Sequence, residues 1–307
     1  IKLTTQQAYQ ATMKEKMAVS LLKGLSHLPL SVNRFTGRLI GRLAWLFAIK
    51  QRHFALTNLH HCFPEKKNEQ IRKLAKASII SSGELLTELA IIWLSPLSKR
   101  EKIAMEVEGF EYLQQAYDKR KGVILLLPHL GNWEVLTQYL LGKYPFSAMY
   151  KPARMKTLDR LIKTNREKDG ALLFPASSKG IKQILKAIKT GGVSAILPDQ
   201  EPAKNAGVFA PFFNQPAWTM TLAARIYQKT AAEMLASCIL RTSSGFKLVI
   251  KPMEDIDPGD SIDKLAIKIN SAMEKLICLA PEQYQWSYKR FYTQPDDQPQ
   301  IYLRQNK

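Results

Sequence analysis

Gly122–Pro128 reads GVILLLP, a short and continuously apolar run that ends at a proline. Such a run fits a strand covered on both faces, because a half-exposed strand would alternate. Val193–Asp199, VSAILPD, repeats the pattern later in the chain. Between and around these runs lie segments of helical spacing: WEVLTQYLLGKY, KTLDRLIKTNREKDG ending at Gly170, SKGIKQILKAIKTGG with Gly191 and Gly192 at its end, TMTLAARIYQKT and SIDKLAIKINSAMEKLICLA. FSAMY, ALLF, EMLASCIL and FKLVIKPM read as further strands. Strands alternating with helices predict an α/β protein with a mostly parallel central sheet flanked by helices. In such sheets ligands gather outside the carboxyl ends of the strands.

The N-terminal part differs. From about Met17 to Lys50 the chain is basic and apolar, and Pro29 divides it into two helical pieces. In the second piece Arg34, Arg38 and Arg42 recur every four residues and share a face. Phe35, Leu39, Leu43, Leu46 and Phe47 fill another face, and Trp45 falls near the arginines. Two readings fit. One is a helix lying in a membrane interface, with its cations toward anionic lipid and the indole at headgroup level. The other is an amphipathic helix packed on its own domain with a solvated charged face. The expected division is residues 1–50 as N-terminal membrane-associating helices and 51–307 as a catalytic domain. Glu69 to Leu94 reads as one further helix, stopped by Pro96. No unbroken apolar run reaches the roughly 18 residues of a spanning helix. The sequence opens on an isoleucine, so the natural start is expected upstream, and nothing reads as a cleavable signal peptide.

The 307 residues carry 45 Lys and Arg against 26 Asp and Glu, a formal net charge of +19. That balance attracts polyanions, nucleic acid or anionic lipid. No zinc module, RNA-binding signature or basic loop with interleaved aromatics supports nucleic acid, so none is expected as a partner. Cys62, Cys238 and Cys278 are scattered, with no metal or disulfide spacing, and read as small buried residues of a reducing compartment. No P-loop, dinucleotide fingerprint, Gly-x-Ser-x-Gly elbow or His-Glu-x-x-His is present.

The first buried run leads into PHLGNWE, with His129 and Glu134 five residues apart. On one regular helix the two would point apart. They can meet if His129 precedes the helix, Gly131 makes a tight turn, Asn132 caps, and Glu134 falls in the first turn, where the macrodipole favours its ionised form. A carboxylate beside the imidazole would then fix its tautomer and make His129 a general base. A satisfied loop histidine followed by a first-turn acid accounts for the pair equally well.

HLGNWE is an H-x4-E motif. Together with NLHHCFPE (Asn58–Glu65), LPDQEPAKNAGVFAPFFNQPA (Leu197–Ala217) and APEQYQWSYKRF (Ala280–Phe291), it resembles the bacterial lipid A biosynthesis acyltransferases, the lauroyl and myristoyl transferases of the H-x4-D/E glycerolipid acyltransferase superfamily. The four blocks follow the family's order and span nearly the whole chain. The resemblance implies a glycerolipid-acyltransferase-like fold. It also implies acyl transfer from acyl carrier protein to a hydroxyl of a hydroxyacyl chain on a lipid A precursor, a secondary acylation of lipopolysaccharide biosynthesis. His129 would deprotonate that hydroxyl, and Glu134 would orient and charge-balance the ring. Neither cofactor nor metal is implied, and the setting is the cytoplasmic face of the inner membrane. By place in the family's pattern, Arg166 in TNREKDG would bind a phosphate or polarise an oxygen, and Asp199 in LPDQ would serve the same site. Lys151, Arg154, Arg160 and Lys163 form a basic cluster with Arg166 that suits a phosphorylated precursor. Phe209, Phe212 and Phe213 would line an acyl groove or pack in the core. Other acceptors (another glycolipid or a lysophospholipid), acyl-CoA as donor, thioester hydrolysis, and a non-catalytic basic protein binding lipid or nucleic acid are the rival readings.

Overall fold

The computed structural model describes residues 12–150, 155–168, 170–296 and 298–303. Helices come first: α1 (Met13–His27), α2 (Leu30–Phe47), α3 (Ile49–Cys62), α4 (Asn68–Leu94) and the single turn α5 (Leu97–Arg100). The α/β part follows as β1 (Ala104–Glu108), α6 (Phe110–Asp118), β2 (Val123–Leu126), α7 (Glu134–Leu140), β3 (Phe146–Tyr150), α8 (Lys156–Lys168), β4 (Leu172–Pro175), α9 (Ser178–Lys189) and β5 (Val193–Ile196). A hairpin, β6 (Gly207–Phe212) and β7 (Gln215–Met220), precedes α10 (Leu222–Thr230), β8 (Glu233–Arg241), β9 (Gly245–Pro252) and α11 (Ile262–Ile277).

The main sheet has the order β1-β9-β8-β2-β5-β3-β4. All its pairings are parallel except β8 with β9, so β1 and β9 run against the other five strands. The expected mostly parallel sheet is present, with this one antiparallel step. β2 lies at its centre, and alternate residues feed two cores. Ile124 and Leu126 pack with Ile184 of α9, Ile226 of α10 and Ile269 and Met273 of α11. Val123 and Leu125 pack with Leu113 of α6 and Val135, Leu136 and Leu140 of α7. Both faces are covered, which is why the strand reads without alternation. β1 and the hairpin were not expected. β1, AMEVE, is a half-exposed edge strand with two glutamates, and the hairpin carries Pro211 and Pro216.

The N-terminal helices correct the sequence reading. α2 lies along α4 at very short range: a Cβ on Gly41 would come within 2.5 Å of the Ile80 Cα, and one on Gly83 would collide with the Gly37 carbonyl. Small residues four apart permit this close approach, as in helices packed within membranes. The arginine side of α2 is the side that faces α4 and the sheet. Arg34 is buried against Glu88, and Arg38 bonds Glu84 at 2.8 Å, while Arg42 is exposed. Trp45 is buried in the core rather than placed at a headgroup level. The outward side is the apolar one, with Phe35, Leu39, Leu43, Leu46 and Phe47 all exposed. α1 adds exposed Met17 and Leu21. Of the two readings, the helix packed by its apolar face with a solvated charged face is overturned: the packed side is the charged one, and the apolar side faces out. α4 is long and apolar enough to cross a bilayer by length and composition, yet 56% of that window is buried in the protein.

Candidate active site

His129 and Asp199 are brought together by strand register. β2 and β5 pair in parallel with Leu126 opposite Ile196, and each strand then runs on through Leu-Pro. The same three-residue step puts His129 opposite Asp199. The Asp199 carboxylate takes the His129 ring Nδ1 at 2.8 Å and accepts from the His129 backbone N–H at 2.8 Å. Asp199 is fully buried. Burial pushes its carboxyl up, but the adjacent His129 ring and amide, with Arg290 farther off, pull it below its ordinary value. An ionised carboxylate only accepts, so Nδ1 must carry the proton and Nε2 holds the free lone pair. The buried Tyr284 phenol lies near the same carboxylate; burial first, then the Asp199 charge, raises its pKa well above the ordinary value.

Glu134 opens α7, so the expectation that it occupies a first helical turn holds. Its Oε2 accepts from the Trp93 indole at 3.1 Å. The carboxylate that meets the His129 ring at Nδ1 is Asp199, where Glu134 was expected to orient the ring. Both His129 and Glu134 line one cavity of about 470 Å³ at the carboxyl ends of β2, β3 and β5. Its other walls are mainly apolar, including Met149, Ile162, Leu173 and Met220. The Trp133 ring stands edge-on to the His129 imidazole at 4.8 Å.

The turn between His129 and α7 depends on Gly131, at φ +60, where any Cβ would collide with the Ile239 carbonyl. The Gly131 N–H donates to the Gln283 carbonyl at 3.1 Å, and the Gln285 N–H donates to the His129 carbonyl at 3.2 Å. The APEQYQWSYKRF block therefore straps the His129 turn. NLHHCFPE holds that strap: Asn58 Nδ2 donates to the carbonyls of Trp286 and Tyr288 at 2.7 and 2.6 Å, and its Oδ1 accepts from Tyr302. Motifs far apart in the sequence converge on one turn.

Asn132 is not the helix cap. Its Nδ2 donates to Glu88 Oε2 at 3.1 Å. Glu88, fully buried in α4, also takes Arg34 at 2.7 Å and Arg241 at 2.8 Å. Arg241 continues to the Gly131 carbonyl at 3.1 Å and to Ser81 Oγ at 2.7 Å. Arg34 reaches the carbonyls of Thr242 and Gly245. This ionic cluster was missed. Its signal was a glutamate, Glu88, inside an otherwise apolar helix, together with the arginines of α2.

Phe212 and Phe213 are core residues, and Phe209 is half-exposed against Trp218. None of the three lines the cavity. Arg160 and Lys163 are exposed on α8, with Lys163 3.6 Å from Glu167. Lys151, Arg154 and the side chain of Arg166 lie outside the described residues. Among the described residues no group of three or more His, Cys, Asp or Glu is placed to hold a metal ion.

A family described as bacterial lipid A biosynthesis acyltransferase matches residues 5–293. The chain belongs to that family. It is thereby an acyltransferase. The chain is similar to the lipid A biosynthesis lauroyltransferase of Escherichia coli (strain K12), 27% identical over 289 residues, covering 93% of this chain and 94% of the relative. It is also similar to the palmitoleoyltransferase of the same pathway and strain, 28% identical over 279 residues and covering 90% of each chain. The myristoyltransferase of that strain is 25% identical over 276 residues, covering 87% of this chain and 83% of the relative.

Proposed function

We propose that this acyltransferase moves a fatty acyl group from acyl carrier protein to a hydroxyl on an acyl chain of a lipid A precursor. His129 Nε2 takes the hydroxyl proton as the oxygen attacks the thioester carbonyl. The carbon–sulfur bond then breaks, and the leaving thiolate recovers the proton from the imidazolium. Asp199 orients the ring and balances its charge through Nδ1, and Glu134 adds a second carboxylate on the cavity wall. Arg166, with Lys151 and Arg154, would take the precursor's phosphates. Residues 1–50 would hold the enzyme in the plane of an anionic membrane, at the cytoplasmic face of the inner membrane, with the apolar side of α2 in lipid.

The observation that carries this reading is a histidine with one nitrogen fixed by a buried carboxylate, set in the wall of a largely apolar cavity. A general base for a lipid alcohol needs that combination. The family match and the three relatives support lipid A as the acceptor. The test is mass spectrometry of a lipid A precursor incubated with the protein and acylated carrier proteins. Gain of one acyl chain is expected. His129→Ala and Glu134→Ala are each expected to lose transfer, about two to four decades for the base, while the protein stays folded. Near-normal turnover in either would remove that residue from the mechanism. Release of free fatty acid at a rate indifferent to acceptor would mark a hydrolase instead.

A further inference from the structure

From Gly170 to Ala232 the chain contains only two acids, Asp199 and Glu201. Asp199 is spent on His129, and Glu201 takes the Thr293 N–H and hydroxyl. Within this span α9 exposes Lys179, Lys182, Lys186 and Lys189. Steps of three, four and three residues align them along one stripe of the helix. The opposite stripe buries Ile184 and Ile188 in the core. Among the described residues none of the four lysines is paired with a carboxylate. α10, packed beside α9, adds the exposed Arg225.

The position of this ladder ties it to the site. α9 starts directly after β4, and Ala176 in that junction lines the His129 cavity. Lys179 follows three residues later. The first turn is clamped in place: Ser177 Oγ accepts from the Gly180 N–H at 3.3 Å, and a Cβ on Gly180 would collide with the Pro175 carbonyl. A macromolecule seated on the ladder would therefore stand at a fixed distance from the cavity wall. An anionic bilayer is a poor match for this surface. α9 exposes charge and no large apolar side chain, whereas exposed apolar residues are most concentrated on α1 and α2.

We infer that the α9 lysine ladder is the docking surface for an acidic carrier protein that delivers the acyl thioester to the His129 cavity. This rests on the proposed carrier-dependent reading. Opposed charges would speed encounter and fix orientation, with the thioester arm reaching past Ala176.

The experiment compares two donors, an acyl carrier protein and a small acyl-pantetheine thioester, in the unaltered enzyme and in Lys179→Glu/Lys182→Glu/Lys186→Glu. A rise in KM for the carrier donor of about tenfold or more is expected, with the small donor still used and the salt dependence of the carrier reaction flattened. A Gln triple at the same positions is expected to fall between the two, which guards against a folding defect in the Glu triple. An unchanged carrier KM in the Glu triple overturns the assignment. So does loss of binding to phosphatidylglycerol vesicles with carrier KM intact, which would make the ladder a lipid contact. If the unaltered enzyme uses the small thioester but no carrier, the donor reading itself fails, and the ladder assignment fails with it.

Discussion

The carboxylate of Asp199 holds His129 at two points, ring Nδ1 and backbone N–H, each at 2.8 Å, across 70 residues of chain. One group thereby sets both the ring's tautomer and the position of its backbone. Asp199→Asn is expected to preserve the fold and cost transfer about two to four decades, since an amide can donate to Nδ1 and reverse the tautomer. Steady-state kcat beside an unchanged circular dichroism spectrum checks this.

The same residue gives a signed pH effect. Its carboxyl titrates below its ordinary 3.8 in the folded protein, through the His129 contacts that outweigh burial. The stability it contributes is full above that ordinary value and is lost as the pH falls through the lower folded value. Urea unfolding of the native protein and Asp199→Asn should therefore converge on acidification below about pH 4, having been furthest apart near neutrality. A gap that widened in acid would contradict the assignment.

Glu88 neutralises two buried guanidinium groups and holds Asn132 of the His129–Glu134 turn. Glu88→Ala leaves Arg34 and Arg241 buried without their counter-ion and is expected to destabilise the protein by about 3–5 kcal/mol. Glu88→Gln also removes the counter-ion but keeps the shape and one acceptor oxygen, so a loss at the lower end of that range is expected, about 3 kcal/mol. Chemical denaturation of both variants, with transfer kinetics on the milder one, separates loss of fold from loss of turn geometry.

The outward side of α2 can be changed without disturbing its packed side. Phe35→Ser/Leu39→Ser/Phe47→Ser removes three exposed apolar side chains. Co-sedimentation with anionic vesicles is expected to fall at least tenfold, with thermal stability in detergent unchanged. Binding that survives the triple would place the lipid contact elsewhere.

The three cysteines are not equivalent, which departs from the expectation that all are buried. Cys62 and Cys238 are buried, and Cys278, just past α11, is exposed. Burial pushes the Cys238 thiol up to about 12. A thiol reagent should therefore modify Cys278 first in the native protein and all three after unfolding, as read by peptide mass spectrometry.

The sheet was legible because β2 and β5 are covered on both faces and so lack alternation, while β1, half-exposed with two glutamates, left no such trace. His129 and Glu134 stood out by their spacing. The contact between His129 and Asp199 did not, because it depends on strand pairing. Its one clue was that both buried strands run on as Leu-Pro followed by a polar residue. Asn132 read as a cap since its type suits that role locally, but Glu88 of α4, remote in the chain, claims its side chain. The sequence left the two readings of α2 open because hydrophobic periodicity reports that a helix has two sides and does not say what each one meets.

A helix with ions on its inner side and oil on its outer side leaves that oil in want of a cover. Stripped of amphiphile, this chain would have to hide Phe35, Leu39, Leu43 and Phe47 against something, and the nearest supply of matching surface is another copy of itself. Its dispersity in plain buffer thus becomes a gauge of how much of this outward side seeks a partner.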